Sequence, residues 1–128
     1  MPSYRAPVND TLFVLQAVCE LEKYANLPGF AEATPDLVAA VVEEAGRFCE
    51  GVLAPLNLPG DSQGCTRHAD GSVTTPDGFK AAYNAFVEGG WGGLMAPPEY
   101  GGQGLPHVIG TVMQEFSASA NMAFAMYP

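Results

Sequence analysis

The stretch from Ala118 to Pro128 constrains the fold more than any other part of the chain. Ala118, Ala120, Met122, Ala123, Phe124, Ala125, Met126 and Tyr127 crowd it so densely that no helical rotation leaves a polar face. Apolar side chains in that number need cover on every side.

The cover available within the chain is modest. A length of 128 residues suits one domain, and folding at that size hides roughly two-thirds of the surface the unfolded chain exposes. With 48% hydrophobic and 15% charged residues, the sequence is too apolar for a disordered chain and too poor in charge for a long solvated coiled coil. No repeat of fixed period and no low-complexity tract divides it.

The helical signals come from caps and spacing. Asn9 or Asp10 opens a first helix whose stripe is Val14, Ala17, Val18, Leu21 and Ala25. Thr34 as N-cap, Pro35 in the first turn and Asp36 near the positive end of the dipole open the second. Val38, Val41, Ala45, Phe48 and Val52 form its inner face, Glu43 and Arg47 an outward ion pair, and Pro55 its end. Between residues 57 and 76 the pattern dissolves into an irregular loop, with a short hairpin turning at Asp70-Gly71. A third helix starts near Thr75-Pro76-Asp77, buries Phe79, Tyr83, Phe86 and Val87, and stops at Gly89-Gly90 with Trp91 packed beneath. After a loop rich in Gly and Pro, Pro106 leads a fourth helix with Ile109, Val112, Met113 and Phe116 inward. The expected fold class is therefore all-α, with four to five helices. Four amphipathic helices do not suffice to wrap the terminal stretch as well, so its cover is expected from chain beyond Pro128, with self-association through Ala118–Pro128 where that cover is lacking.

Charge and cysteine usage exclude several functions. Fourteen acidic residues against five basic ones leave a net charge of −9, which repels phosphate backbones and anionic lipid surfaces. Nucleic acid is not an expected partner, and no window reaches the roughly 20 apolar residues of a membrane span. Cys19, Cys49 and Cys65 are odd in number and widely spaced, unlike a disulfide framework or a zinc site, and the N-terminus lacks an export signal, so the cytoplasm is the expected compartment.

No catalytic constellation emerges. His68 and His107 have no neighbour at metal-ligand spacing, and a surface or capping role accounts for them. No glycine elbow surrounds any cysteine, and the adjacent Glu43 and Glu44 point about 100° apart on a helix, too divergent to act on one bond. Gly101-Gly102-Gln103-Gly104 precedes a helix and superficially suits a phosphate. It follows no apolar strand and precedes no lysine, so a conformational role for its glycines is the better reading. No metal is expected.

The run from Trp91 to Leu105, WGGLMAPPEYGGQGL, resembles a signature of the acyl-CoA dehydrogenase family, where it joins the third and fourth helices of the N-terminal domain. Met113–Phe124 resembles the next part of that domain, and Arg47–Asn57 its long early helix. The opening Tyr4–Asp10 is similar to an extension in a longer subgroup that includes 3-methylthiopropionyl-CoA dehydrogenases, which makes residues 1–33 an extension helix.

The resemblance implies an FAD-dependent parent enzyme that oxidises an acyl-CoA to a trans-2-enoyl-CoA. A β-domain holding much of the FAD and a C-terminal helical domain carrying the catalytic glutamate would lie outside residues 1–128. It implies an acyl-CoA substrate, an electron acceptor and a homo-oligomer. No catalytic residue is assigned to this chain, Glu99 being read as a loop contact, and the chain alone is expected neither to bind FAD nor to turn over. Matching residue by residue places Phe124, Ala125 and Pro128 on the acyl-chain pocket, against ordinary core packing as the other reading. A free-standing helical interaction module, presenting Met122, Phe124, Met126 and Tyr127 to a partner, is the competing function.

Overall fold

The computed structural model describes residues 3–128. The chain is all-α apart from one short hairpin. Helix α1 spans Val8–Phe13 and runs on through a π-helical turn, Val14–Val18. Glu20, at φ 49°, then breaks the helix, and a 3-10 turn follows over Leu21–Tyr24. The first helix is thus shorter than its spacing predicts. It starts after Pro7 with no side-chain cap from Asn9 or Asp10, and its buried residues are Leu15 and Leu21, while Val14 and Val18 face out. The wider turn breaks the 100° period on which the expected stripe rests.

Helix α2, Pro35–Phe48, begins where the cap chemistry places it, with Thr34 Oγ1 accepting the Leu37 N–H at 3.3 Å. Val38, Val42, Ala45 and Phe48 are buried and Val41 is half-buried. Arg47 pairs with Glu44, three residues back, and not with Glu43.

Pro55 does not end this helix. The chain passes through a second π-helical turn, Cys49–Leu53, straight into α3, Ala54–Gln63. A proline clashes with the carbonyl one turn behind it and lacks the N–H that carbonyl needs. The wide turn lets Pro55 fall in the first turn of a new α segment, where no N–H is required. Helix α3 even holds Pro59 internally and stops at Gly64, φ 64°. The first part of the span read as irregular is therefore helical.

The hairpin follows, with β1, Thr66–Arg67, antiparallel to β2, Val73–Thr74, in the register Thr66 to Thr74 and Arg67 to Val73. Its turn is at Asp70-Gly71 as expected: Asp70 Oδ1 accepts the Ser72 N–H at 2.9 Å, and Gly71 sits at φ 85°. Helix α4, Phe79–Glu88, ends at Gly89, with Gly90 at φ 72°. Helix α5, His107–Ala120, buries Ile109, Val112, Met113 and Phe116, all four of the expected inward residues. A single turn, α6, spans Met122–Ala125.

The core lies where α2, the second π turn and α5 meet, with Cys49, Leu53 and Phe116 wholly buried. An aromatic row leads outward from it: Trp91 lies 5.9 Å from Phe48, Phe48 6.2 Å from Phe86, Phe86 5.9 Å from Phe124, and Phe124 6.4 Å from Phe79, ring centre to ring centre. Such offset pairs contribute beyond their buried area. They join the Trp91 loop to the far end of α6.

Candidate functional site

The far end of the aromatic row floors a groove of about 1150 Å³ between α3, the hairpin, α4 and α6. Two close approaches shape it. A Cβ on Gly60 of α3 would lie 2.6 Å from the Phe79 ring, and one on Gly78 would lie 2.6 Å from Leu56, so small residues let α3 and the start of α4 come together. Phe79 and Phe124 form the floor, while Leu58, Tyr83, Met122 and Met126 stand along the sides. Asp61 and Lys80 supply its charge. The wall contributed by α3 went unseen in the sequence because that segment was read as loop.

The three residues placed on an acyl pocket by resemblance separate here. Phe124 is 4% exposed, held between Phe79 and Phe86, and reaches the groove floor. Ala125 is half-buried and Pro128 exposed, and neither lines the groove. The terminal stretch as a whole splits into a covered part, Ala120, Asn121 and Phe124, and an uncovered part, with Met126 78% and Tyr127 87% exposed.

Asn121 is the residue that the sequence reading missed. It is 1% exposed and extended, φ −158°, between α5 and α6. Its Oδ1 accepts the Phe124 N–H at 3.1 Å, capping α6, and its Nδ2 donates to the Leu53 carbonyl at 3.2 Å. One polar residue inside an apolar run was the available signal, since a buried amide needs partners on both sides.

The glycine loop does not offer its amides to a ligand. Gly102 N–H donates to the Pro97 carbonyl at 3.1 Å, Gln103 N–H to Gly93 at 2.9 Å, Gly104 N–H to Ala96 at 2.9 Å and Leu105 N–H to Leu94 at 2.9 Å. A Cβ on Gly102 would fall 2.0 Å from the Ala96 carbonyl oxygen. The glycines fold the loop onto itself, and its own amides from Gly101 to Leu105 are already bonded.

The other candidates sit apart from the groove or are inert. His68 bonds Thr74 Oγ1 at 2.7 Å across the hairpin, and His107 and Glu99 are exposed. The Cys49 thiol is wholly buried, 3.8 Å from Ser117 Oγ, and burial pushes it up to about 11, the opposite of an activated nucleophile. Burial likewise raises the Tyr4 hydroxyl to about 12, with Cys49, Glu115 and Glu50 adding to the effect. Among the described residues, no group of three His, Cys, Asp or Glu is placed to hold a metal ion, and no helix is long and apolar enough to cross a membrane.

A groove with mostly apolar walls, in which the lining residues Asp61, Cys65 and Lys80 make no hydrogen bond or ion pair with one another among the described residues, suits a role in shaping a binding space. No protein-family model matches the chain. Curated relatives do. The chain is 40% identical over 126 residues to 3-methylmercaptopropionyl-CoA dehydrogenase of Ruegeria pomeroyi, a match covering 98% of this chain and 21% of that protein. By sequence the chain is similar to acyl-CoA dehydrogenases. It is also 29% identical over 128 residues to the broad-specificity linear acyl-CoA dehydrogenase FadE5 of Mycobacterium tuberculosis, covering 99% of this chain and 21% of the relative. The chain thus spans about a fifth of the length of each relative, and corresponds to an N-terminal part of such enzymes.

Proposed function

We propose that the chain is the N-terminal helical domain of an FAD-dependent acyl-CoA dehydrogenase, which converts an acyl-CoA thioester to its trans-2-enoyl-CoA. The observation that carries this reading is the 40% identity to an acyl-CoA dehydrogenase sustained along 98% of the chain. The domain's part is to wall the acyl tail. Phe124, Ala125 and Pro128 are the proposed contacts, and the position of Phe124 on the groove floor favours it among the three.

The glycine loop does not fit the flavin diphosphate. The glycine loop's amides are bonded internally, and a net charge of −9 opposes a diphosphate. Flavin binding and proton removal from the thioester are assigned, by the resemblance, to a β-domain and a C-terminal helical domain of the parent. Its partners would be an acyl-CoA, an electron acceptor and further copies of itself, and its compartment the cytoplasm, in keeping with the free thiols of Cys19 and Cys65 on the surface.

The test is a chimera in which residues 1–128 replace the matching segment of the Ruegeria pomeroyi enzyme. Acyl-CoA-dependent reduction of an electron acceptor is expected, with Phe124→Leu shifting the ratio of kcat/KM between short and long acyl chains. A folded, flavin-loaded chimera without turnover would overturn the reading, as would turnover by the 128-residue chain alone.

A free-standing interaction module is favoured by one observation, the exposure of Met126 and Tyr127 beside Met122. Self-association through Ala118–Pro128 is expected of the 128-residue chain while that stretch lacks cover, and sedimentation showing a monomer at high concentration would count against it.

A further inference from the structure

The segment Ser3–Pro7 runs without regular structure across the back of α2, remote from the groove. It lies in a notch. A Cβ on Gly46 would meet Val8 Cγ2 at 2.8 Å and Ala6 Cβ at 3.2 Å, with the Phe116 ring behind at 4.0 Å, so α2 carries its one buried glycine where the strap crosses. Tyr4, Ala6 and Val8 pack half-buried against the core, and polar contacts add to that packing to offset the entropy of ordering the strap.

Its polar anchorage converges on a single side chain. Arg5 Nη1 donates to Glu50 Oε2 at 2.9 Å and the Ala6 N–H donates to Glu50 Oε1 at 2.9 Å. Among the described residues, these are the hydrogen bonds that tie Ser3–Pro7 to the helices behind it. The Tyr4 hydroxyl is buried without a partner and so adds no tether. Glu50 itself sits in the second π turn, directly after buried Cys49.

We propose that Ser3–Pro7 is a latch and the Glu50 carboxylate its catch, closed while that carboxylate is ionised and released when it is protonated. An ionised carboxylate accepts both bonds at once, whereas the protonated group gives up its attraction for the guanidinium and weakens the amide bond. The groups around this catch are Arg5 and Tyr4 from the strap and Cys49 on its own turn, with Glu115 of α5 acting on Tyr4. Tyr4 and Cys49 hold their protons to about 12 and about 11, and Glu115 makes no hydrogen bond to the strap. Glu50 is the member whose charge both holds the strap and changes in acid.

The direction follows from the bonds. The Ala6 N–H first, and then Arg5, draw the Glu50 carboxyl below its ordinary value. The latch is accordingly closed through neutral pH and opens as pH falls through that lowered value. Opening bares the Gly46 notch and the edge of Phe116, an apolar strip otherwise hidden.

Amide hydrogen exchange of the 128-residue chain, read residue by residue by NMR, tests the latch. Glu50→Ala is expected to speed Ala6 exchange by about tenfold or more, the loss of charge-assisted hydrogen bonds, while the Ile109 and Phe116 amides on α5 keep their rates. Glu50→Gln retains an oxygen for Ala6 and should fall between. In wild-type protein the Ala6 protection factor, corrected for intrinsic chemistry, should drop in acid, and this drop should vanish in Glu50→Gln. Unchanged Ala6 protection in Glu50→Ala would overturn the proposal, as would parallel acceleration of the α5 amides or an acid drop that persists in Glu50→Gln.

Discussion

The side-chain amide of Asn121 donates to the main-chain carbonyl of Leu53 across 3.2 Å, tying the start of α6 to the π turn inside the long α2–α3 run. The same side chain accepts the Phe124 N–H. Asn121→Ala removes both bonds and leaves the buried Phe124 N–H without its partner. A loss of about 1–3 kcal/mol is expected, measured by urea unfolding.

Phe124 and Met126 are two residues apart and should behave oppositely. Phe124 is enclosed by Phe79 and Phe86, so Phe124→Ala is expected to cost about 3–5 kcal/mol. Met126 is 78% exposed, and Met126→Ala should change stability by no more than about 0.5 kcal/mol. Equal effects in thermal unfolding would contradict the aromatic row.

Glycine substitutions divide in the same way. Gly102→Ala drives a methyl group into the Ala96 carbonyl at 2.0 Å, backbone against backbone, and should destabilise by about 1–3 kcal/mol or more. A Cβ on Gly51, in the exposed side of the second π turn, meets nothing within 4 Å. Gly51→Ala should therefore stabilise by about 0.5–1 kcal/mol. Chemical denaturation of the two variants side by side gives both signs.

Stability should fall in alkali in two steps. Cys49 is raised from an ordinary 9.0 to about 11, and Tyr4 from 10.0 to about 12. Both groups keep their protons longer in the folded state, so their contribution is whole below about pH 9 and is lost as pH climbs toward 11 and 12. Tyr4→Phe removes the upper step together with a buried hydroxyl that has no partner. It should be neutral or stabilising by about 1 kcal/mol, as read by unfolding across the pH range.

Much of the fold was legible where the signal is local. The Thr34-Pro35 start is set by cap chemistry within a single turn, and the inner face of α5 keeps an unbroken helical period from Ile109 to Phe116. The errors cluster at the π turns. One hides Val14 and Val18 from the core they were expected to join, and the other carries the chain through Pro55 where a helix end was expected. A π turn leaves no propensity signal in five residues, because it is an accommodation to packing and to a proline downstream. Tyr83 and Val87 misled for another reason. They have the right spacing for a core face, yet α4 is covered along only part of its surface. For the site, the apolar content of Met122 to Tyr127 was plain, but the opposing wall on α3 was hidden by the glycine, serine and proline of residues 57–63.

The turn at Cys49–Leu53 also fixes a rotational phase. It holds one residue beyond what an unbroken α-helix would place there, and each residue of an α-helix advances the side chains by about 100°. The wide turn absorbs that residue; were it to close to α-helical geometry with the residue retained, α2 would stay intact and the faces of α3 would swing by about that angle. Leu58 and Gly60 would turn away from Phe79, and the groove would lose one side without any change in its lining sequence. The orientation of that wall is thus set upstream, in the width of the turn between Phe48 and Ala54.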